Sequence, residues 1–202
     1  MSCQREKVAF SSQSIGDILF DTGEYIRALE SYNEALQLRR SLESDSLDVA
    51  ETLCLKGNVL LKLKKWDKAI LAFDEAFRIR IDQIPQDHHD IATCFHLIGK
   101  AYEGDEKFEQ ALEYYKKSQR ILSGHLVDTD TDAADLFFDL GNIVLLQDAS
   151  SKHFQCDEPN EDDISLALTC LALSRDIYRR SFGADALEVG DALHLLGIIH
   201  MK

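Results

Sequence analysis

VAETLCLKGNVLLKLKKW (residues 49–66) followed by DKAILAFDEAFRIRIDQI (residues 67–84) decides the fold. Apolar residues recur at helical spacing in the first segment, and a second helical pattern begins after a short turn. One helix carries Gly57 in its middle; the other carries Ala69 and Ala76 with Phe73 between them. Small residues on two facing helices let the backbones approach, and the aromatic fills what space remains.

The same spacing recurs outward from this pair. Gly16, Gly57, Gly99, Gly141 and Gly197 lie 41, 42, 42 and 56 residues apart. Twelve residues after each of the first three glycines stands an alanine (Ala28, Ala69, Ala111), seven further on a small residue (Ala35, Ala76, Ser118), and between them an aromatic (Tyr32, Phe73, Tyr115). After Gly141 the small pair is Ala167 and Ser174, displaced by 14 residues, with Leu171 in the aromatic's place. The fourth repeat therefore carries an insertion, polar and acidic and containing Pro159, which is expected to be a loop between its two helices. The chain divides into a single domain, 1–202, with repeats at about 8–48, 49–90, 91–132 and 133–188, an inserted loop at about 148–162, and a partial fifth repeat at 189–202.

Composition agrees with helix pairs. Ten glycines and only Pro85 and Pro159 leave few breakers, while 45% hydrophobic and 29% charged residues suit a packed domain. Twenty-two Lys and Arg against 36 Asp and Glu give a formal charge of −14, which repels phosphate backbones and anionic lipid at long range. Nucleic-acid and membrane partners are not expected. No apolar run of membrane-spanning length and no secretory leader is seen, so a cytoplasmic location is expected. Five cysteines without a CxxC read as reduced thiols.

The stretch DHHDIATCFH (residues 87–96) holds His88, His89, Cys94 and His96, residue types that bind zinc. It is also the third copy of a helix start: Asp48, Asp90, Asp132 and Glu188 each precede a Val-Ala, Ile-Ala, Ala-Ala or Val-Gly pair. An acid there is expected to cap the helix and favour its dipole, so a cap is expected rather than a metal site. No cofactor is expected, and no phosphate loop, HExxH or GxSxG supports an enzyme. Arg39, Arg40, Arg78, Arg80, Arg179 and Arg180, near the ends of second helices, are expected to complement the dipole.

The segments SDSLDVAETLCLKGNVLLKLKKWDKAILAFDEAFRIR and QDHHDIATCFHLIGKAYEGDEKFEQALEYYKKSQRI resemble the tetratricopeptide repeat family, and the 42-residue spacing resembles its kinesin light chain type. The resemblance implies an all-α, right-handed superhelical solenoid of antiparallel helix pairs. It also implies a non-enzymatic scaffold or adaptor that binds an extended peptide or partner helix along the first helices. One face of those helices reads Gln13, Asp17, Asp21; Cys54, Asn58, Lys62; His96, Lys100, Gly104; Phe138, Asn142, Leu146; His194, Ile198, Lys202. In related domains an Asn after the glycine holds a bound peptide's backbone, a place filled here by Asn58 and Asn142. The expected partner-binding residues are Gln13, Asp17, Asn58, Lys62, His96, Lys100 and Asn142. Two other roles remain open: a regulatory or sensor segment of a larger multidomain signalling protein, or a co-chaperone-like adaptor. A co-chaperone clamp needs basic partners where Cys54 and His96 stand. Helix VGDALHLLGIIHMK, half of a repeat, is expected to leave Leu196, Ile199 or Met201 short of cover, giving a possible surface for self-association.

Overall fold

The computed structural model describes residues 2–42, 45–124, 131–151 and 161–201, with the side chains of 2–3 and 148–151 left aside. Among the described residues the regular structure is helical throughout. The helices are α1 (Ser2–Asp21), α2 (Tyr25–Leu42), α3 (Leu47–Lys62), α4 (Trp66–Ile81), α5 (His89–Gly104), α6 (Phe108–Leu122), α7 (Thr131–Ser151), α8 (Glu161–Phe182) and α9 (Leu187–His200). The helices of the fourth pair run to Ser151 and restart at Glu161. The remainder of the expected insertion, residues 152–160 with Cys156 and Pro159, lies outside the described residues, as does Lys202.

The chain forms two compact units, Met1–Asp105 and Glu106–Lys202. In the first, α1 packs on α2, α3 on α4, and α3 and α5 meet directly. Its centre holds Ala28, Tyr32 and Val59, with Leu19, Leu29, Leu55 and Leu63 packed around them. The glycine column explains how the pairs close. A methyl group at Gly16 would lie 2.6 Å from the Tyr32 ring, and one at Gly57 would lie 2.2 Å from Phe73. Phe77 and Phe95, 5.0 Å between ring centres, join α4 to α5, and Trp66 covers Gly104 closely enough that a methyl there would sit 2.6 Å from the indole.

In the second unit the same closure is made without an aromatic. A methyl at Gly141 would lie 2.3 Å from Leu171, which is fully buried, so the branched side chain fills the ring's place. Leu136, Phe137, Leu140 and Ile143 of α7 form the apolar face against α8. On α9, of the three residues expected to be short of cover, Met201 is exposed, together with Leu187 and Leu193, while Leu196 and Ile199 are buried. Nothing lies within 4 Å of a methyl placed on Gly197.

The turns inside the pairs repeat as well. The chain leaves α1 with Glu24 N–H donating to Leu19 O at 2.8 Å, and leaves α3 with Lys65 N–H donating to Leu60 O at 2.9 Å. This closure needs a residue with positive φ just past the helix end. Gly23 supplies it at φ 79°, but Lys64 and Glu106, at the same register, must adopt φ 55° and 60° with a Cβ present. That conformation costs a non-glycine residue about 1 kcal/mol. Lys64→Gly is therefore expected to stabilise the protein by about 0.5–1 kcal/mol. Thermal denaturation measures this, and an unchanged or lower midpoint would show that the turn carries no such strain.

Candidate functional site

Two of the residues expected to face a partner are already engaged inside the first unit. Gln13 is 8% exposed: its Nε2 donates to Glu51 at 3.1 Å and its Oε1 accepts from Arg39. Asp17, directly after Gly16, accepts from the Tyr32 hydroxyl at 2.7 Å, and this bond adds to burial in raising the Tyr32 pKa. Cys54, expected on the same face, is buried against α5. Asn58 and Lys62 differ. Asn58 is half-buried beside Gly57 and Lys62 is exposed one turn further, and among the described residues neither has a hydrogen-bond or ion-pair partner. His96 and Lys100 are half-buried on α5, and Asn142 is half-buried on α7 in the second unit.

A polar lock that the sequence reading missed occupies the space between successive pairs. Arg39, from the end of α2, donates through Nη1 to the Asp48 carbonyl at 2.9 Å, and also to Gln13 and Thr52. Arg80, from the end of α4, repeats this one register later: Nη1 donates to the Asp90 carbonyl at 3.0 Å and to Cys94 Sγ at 3.3 Å. Cys54 donates to Cys94, so Cys54 and Cys94 stand where Gln13 and Thr52 stand in the preceding copy. The hydrogen bond from Cys54 and then the Arg80 guanidinium draw the Cys94 thiol down to about 7. The same thiol–thiol bond and burial hold Cys54 well above its ordinary value. Arg39 and Arg80 thus bind the next helix instead of only complementing the dipole of their own, whereas Arg40 pairs with Glu75 near the surface and Arg78, Arg179 and Arg180 are exposed. The signal was present: each locking arginine lies four residues after the second small residue, Ala35 or Ala76. In the second unit that slot holds Leu122 and Tyr178; Leu122 is buried, and the Tyr178 hydroxyl donates to Asp135.

The helix starts also differ from expectation. The caps are Ser46, whose hydroxyl accepts from Val49 N–H at 3.4 Å, and His88, whose Nδ1 accepts from Asp90 N–H at 3.1 Å. Asp48, Asp90, Asp132 and Glu188 sit inside the first turn, where a carboxylate favours the dipole without capping. With His88 turned to the backbone and Cys94 turned to Arg80, the DHHD stretch converges on no common point. Among the described residues no group of three or more His, Cys, Asp or Glu is placed to hold a metal, and no described helix is long and apolar enough to cross a membrane.

Comparison with known proteins agrees with the repeat register. Family models described as tetratricopeptide repeat match residues 8–82 and 92–121, together about half the chain. Protein NASP homolog 1 of Caenorhabditis elegans is 27% identical over 97 residues, which make up 48% of this chain and 25% of that protein; the chain thus matches only a quarter of that relative's length. Among solved structures, the nearly identical TPR-like repeats of a chain assigned as a kinesin light chain in Podosopora anserina superpose with a TM-score of 0.73. That match has 11% identity and covers 98% of this chain and 87% of the other. BtubC (BKLC) from P. vanneervenii superposes with a TM-score of 0.71 at 14% identity over 99% of this chain and 82% of its own. At these identities the likeness is one of fold, an all-α, TPR-like solenoid.

Proposed function

Because the chain belongs to the tetratricopeptide repeat family, whose repeats are generally protein–protein interaction modules, we propose that it is a non-enzymatic scaffold whose first unit holds an extended peptide on the first-helix side. The observation that carries this reading is Asn58, a half-buried amide at the foot of α3 with no partner among the described residues. A primary amide donates and accepts at once, so it can meet both groups of a passing peptide unit. Lys62, one turn away and exposed, adds a cation for a carboxylate or carbonyl of the same ligand. His96 and Lys100 of α5 complete the face within the first unit. Gln13 and Asp17 act as its internal support, since their polar groups are spent on Arg39, Glu51 and Tyr32. Asn142 holds the same register on α7.

A hydrogen bond of this kind contributes about 0.5–1.5 kcal/mol. Asn58→Ala is expected to weaken binding of a partner recovered from the native cell by up to about tenfold, and Asn58→Ala with Lys62→Ala by more. Neither residue belongs to the core, so the melting temperature should stay within a degree or two. Calorimetric titration with wild-type and double-variant protein checks this; undiminished affinity in the double variant overturns the assignment.

A further inference from the structure

The acidic chain carries a local reversal of charge on the other side of the first unit. A cleft of about 370 Å³ opens between α2 and α4 with α3 as its floor. Arg40, Lys56, Lys65 and Lys68 line it, against a single carboxylate, Glu75, which pairs with Arg40 at 2.5 Å. Among the described residues Lys65 and Lys68 have no carboxylate partner. Lys56 is half-buried, and burial followed by the nearby Arg40 charge lowers its pKa, an effect that Glu75 offsets only in part. The floor is apolar: Leu53 and Leu60 lie beneath, and Leu71 stands 67% exposed at the rim. At 100° per residue, Leu53, Lys56 and Leu60 fall on the side of α3 away from Asn58 and Lys62.

We propose that this cleft is a second docking site, taking an acidic, leucine-bearing segment of a partner protein. Charge complementarity selects the occupant. Four cations around one carboxylate, with Lys65 and Lys68 unpaired among the described residues, favour an acidic ligand, and a ligand made only of charge would leave Leu71 wet, so the segment carries an aliphatic side chain between its acids. A phosphate backbone meets the same cations but also the field of a chain with net charge −14, which repels a long polyanion while a short acidic segment touches only the cleft. The site is independent of the Asn58 face and stands or falls separately.

The test uses fluorescence anisotropy of the full chain with a short fluorescein-labelled glutamate peptide bearing two leucines one helical turn apart. Saturable binding is expected. It should weaken about tenfold in the Lys65→Glu, Lys68→Glu double variant, since like charges then face each other, and stay unchanged in Asn58→Ala. Exchanging the peptide's leucines for serine should also weaken it. Leu71→Asp, at an exposed position, gives a second variant that leaves the fold intact and should lose binding too. Absence of saturable binding, equal affinity in the Lys65→Glu, Lys68→Glu variant, or full displacement by inorganic phosphate with no preference for the leucine peptide overturns the proposal, the last by showing a simple anion site.

Discussion

Arg80→Ala is expected to destabilise the protein by about 2–4 kcal/mol, whereas Arg40→Ala, one residue past the equivalent place in α2 and engaged in a surface ion pair, should cost about 1 kcal/mol or less. The difference follows from burial. Arg80 is 8% exposed and its guanidinium bridges the Asp90 carbonyl and the Cys94 sulfur, so its removal takes a charged donor from both in the seam between α4 and α5. Arg40 and Glu75 remain hydrated when separated. Replacing Arg80 and Cys94 together by leucine imitates the second unit, where Leu122 and Leu136 are buried at these registers, and is expected to recover part of the loss. Urea denaturation reads all three. If Arg80→Ala is no worse than Arg40→Ala, the lock holds nothing.

Glycines at one register should answer the same substitution with opposite signs. Gly57→Ala puts a methyl 2.2 Å from the buried Phe73 ring, an overlap that costs about 1–3 kcal/mol and outweighs the roughly 0.5–1 kcal/mol that alanine gains in a helix. Gly197→Ala meets nothing within 4 Å, so only the helical gain remains and the protein should become slightly more stable. Differential scanning of the pair of variants is decisive, because a fall in both would mean that α9 is packed more tightly at Gly197 than its surroundings allow.

Much of the fold was legible in the sequence because it is written in steric columns. A glycine facing an aromatic sixteen residues on needs both members, and the Gly16–Tyr32 and Gly57–Phe73 contacts are where the spacing put them. The departures have specific causes. Asp48 and Asp90 were read as caps because acids collect at helix starts, but the cap is set by the residue whose side chain can turn back on the first turn, Ser46 or His88. Periodicity named the face carrying Gln13, Asp17 and Cys54, yet it carries no record of what the next repeat lays over that face. Arg39 and Arg80 were assigned only to the helix dipole for a related reason: a long side chain reaches across a helix seam, and its destination depends on tertiary placement. Asn58 and Lys62 stayed candidates because, among the described residues, no hydrogen-bond or ion-pair partner meets them.

The claim that the first-helix side reads the partner is tested most directly by amide and side-chain NMR shifts of the full chain, titrated with a partner purified from the native cell. The account expects the changes to gather on residues 54–62 and 96–104, with the Asn58 side-chain amide among the largest. Changes confined to the α2–α4 side, around residues 65–75, with Asn58 unmoved, would contradict it.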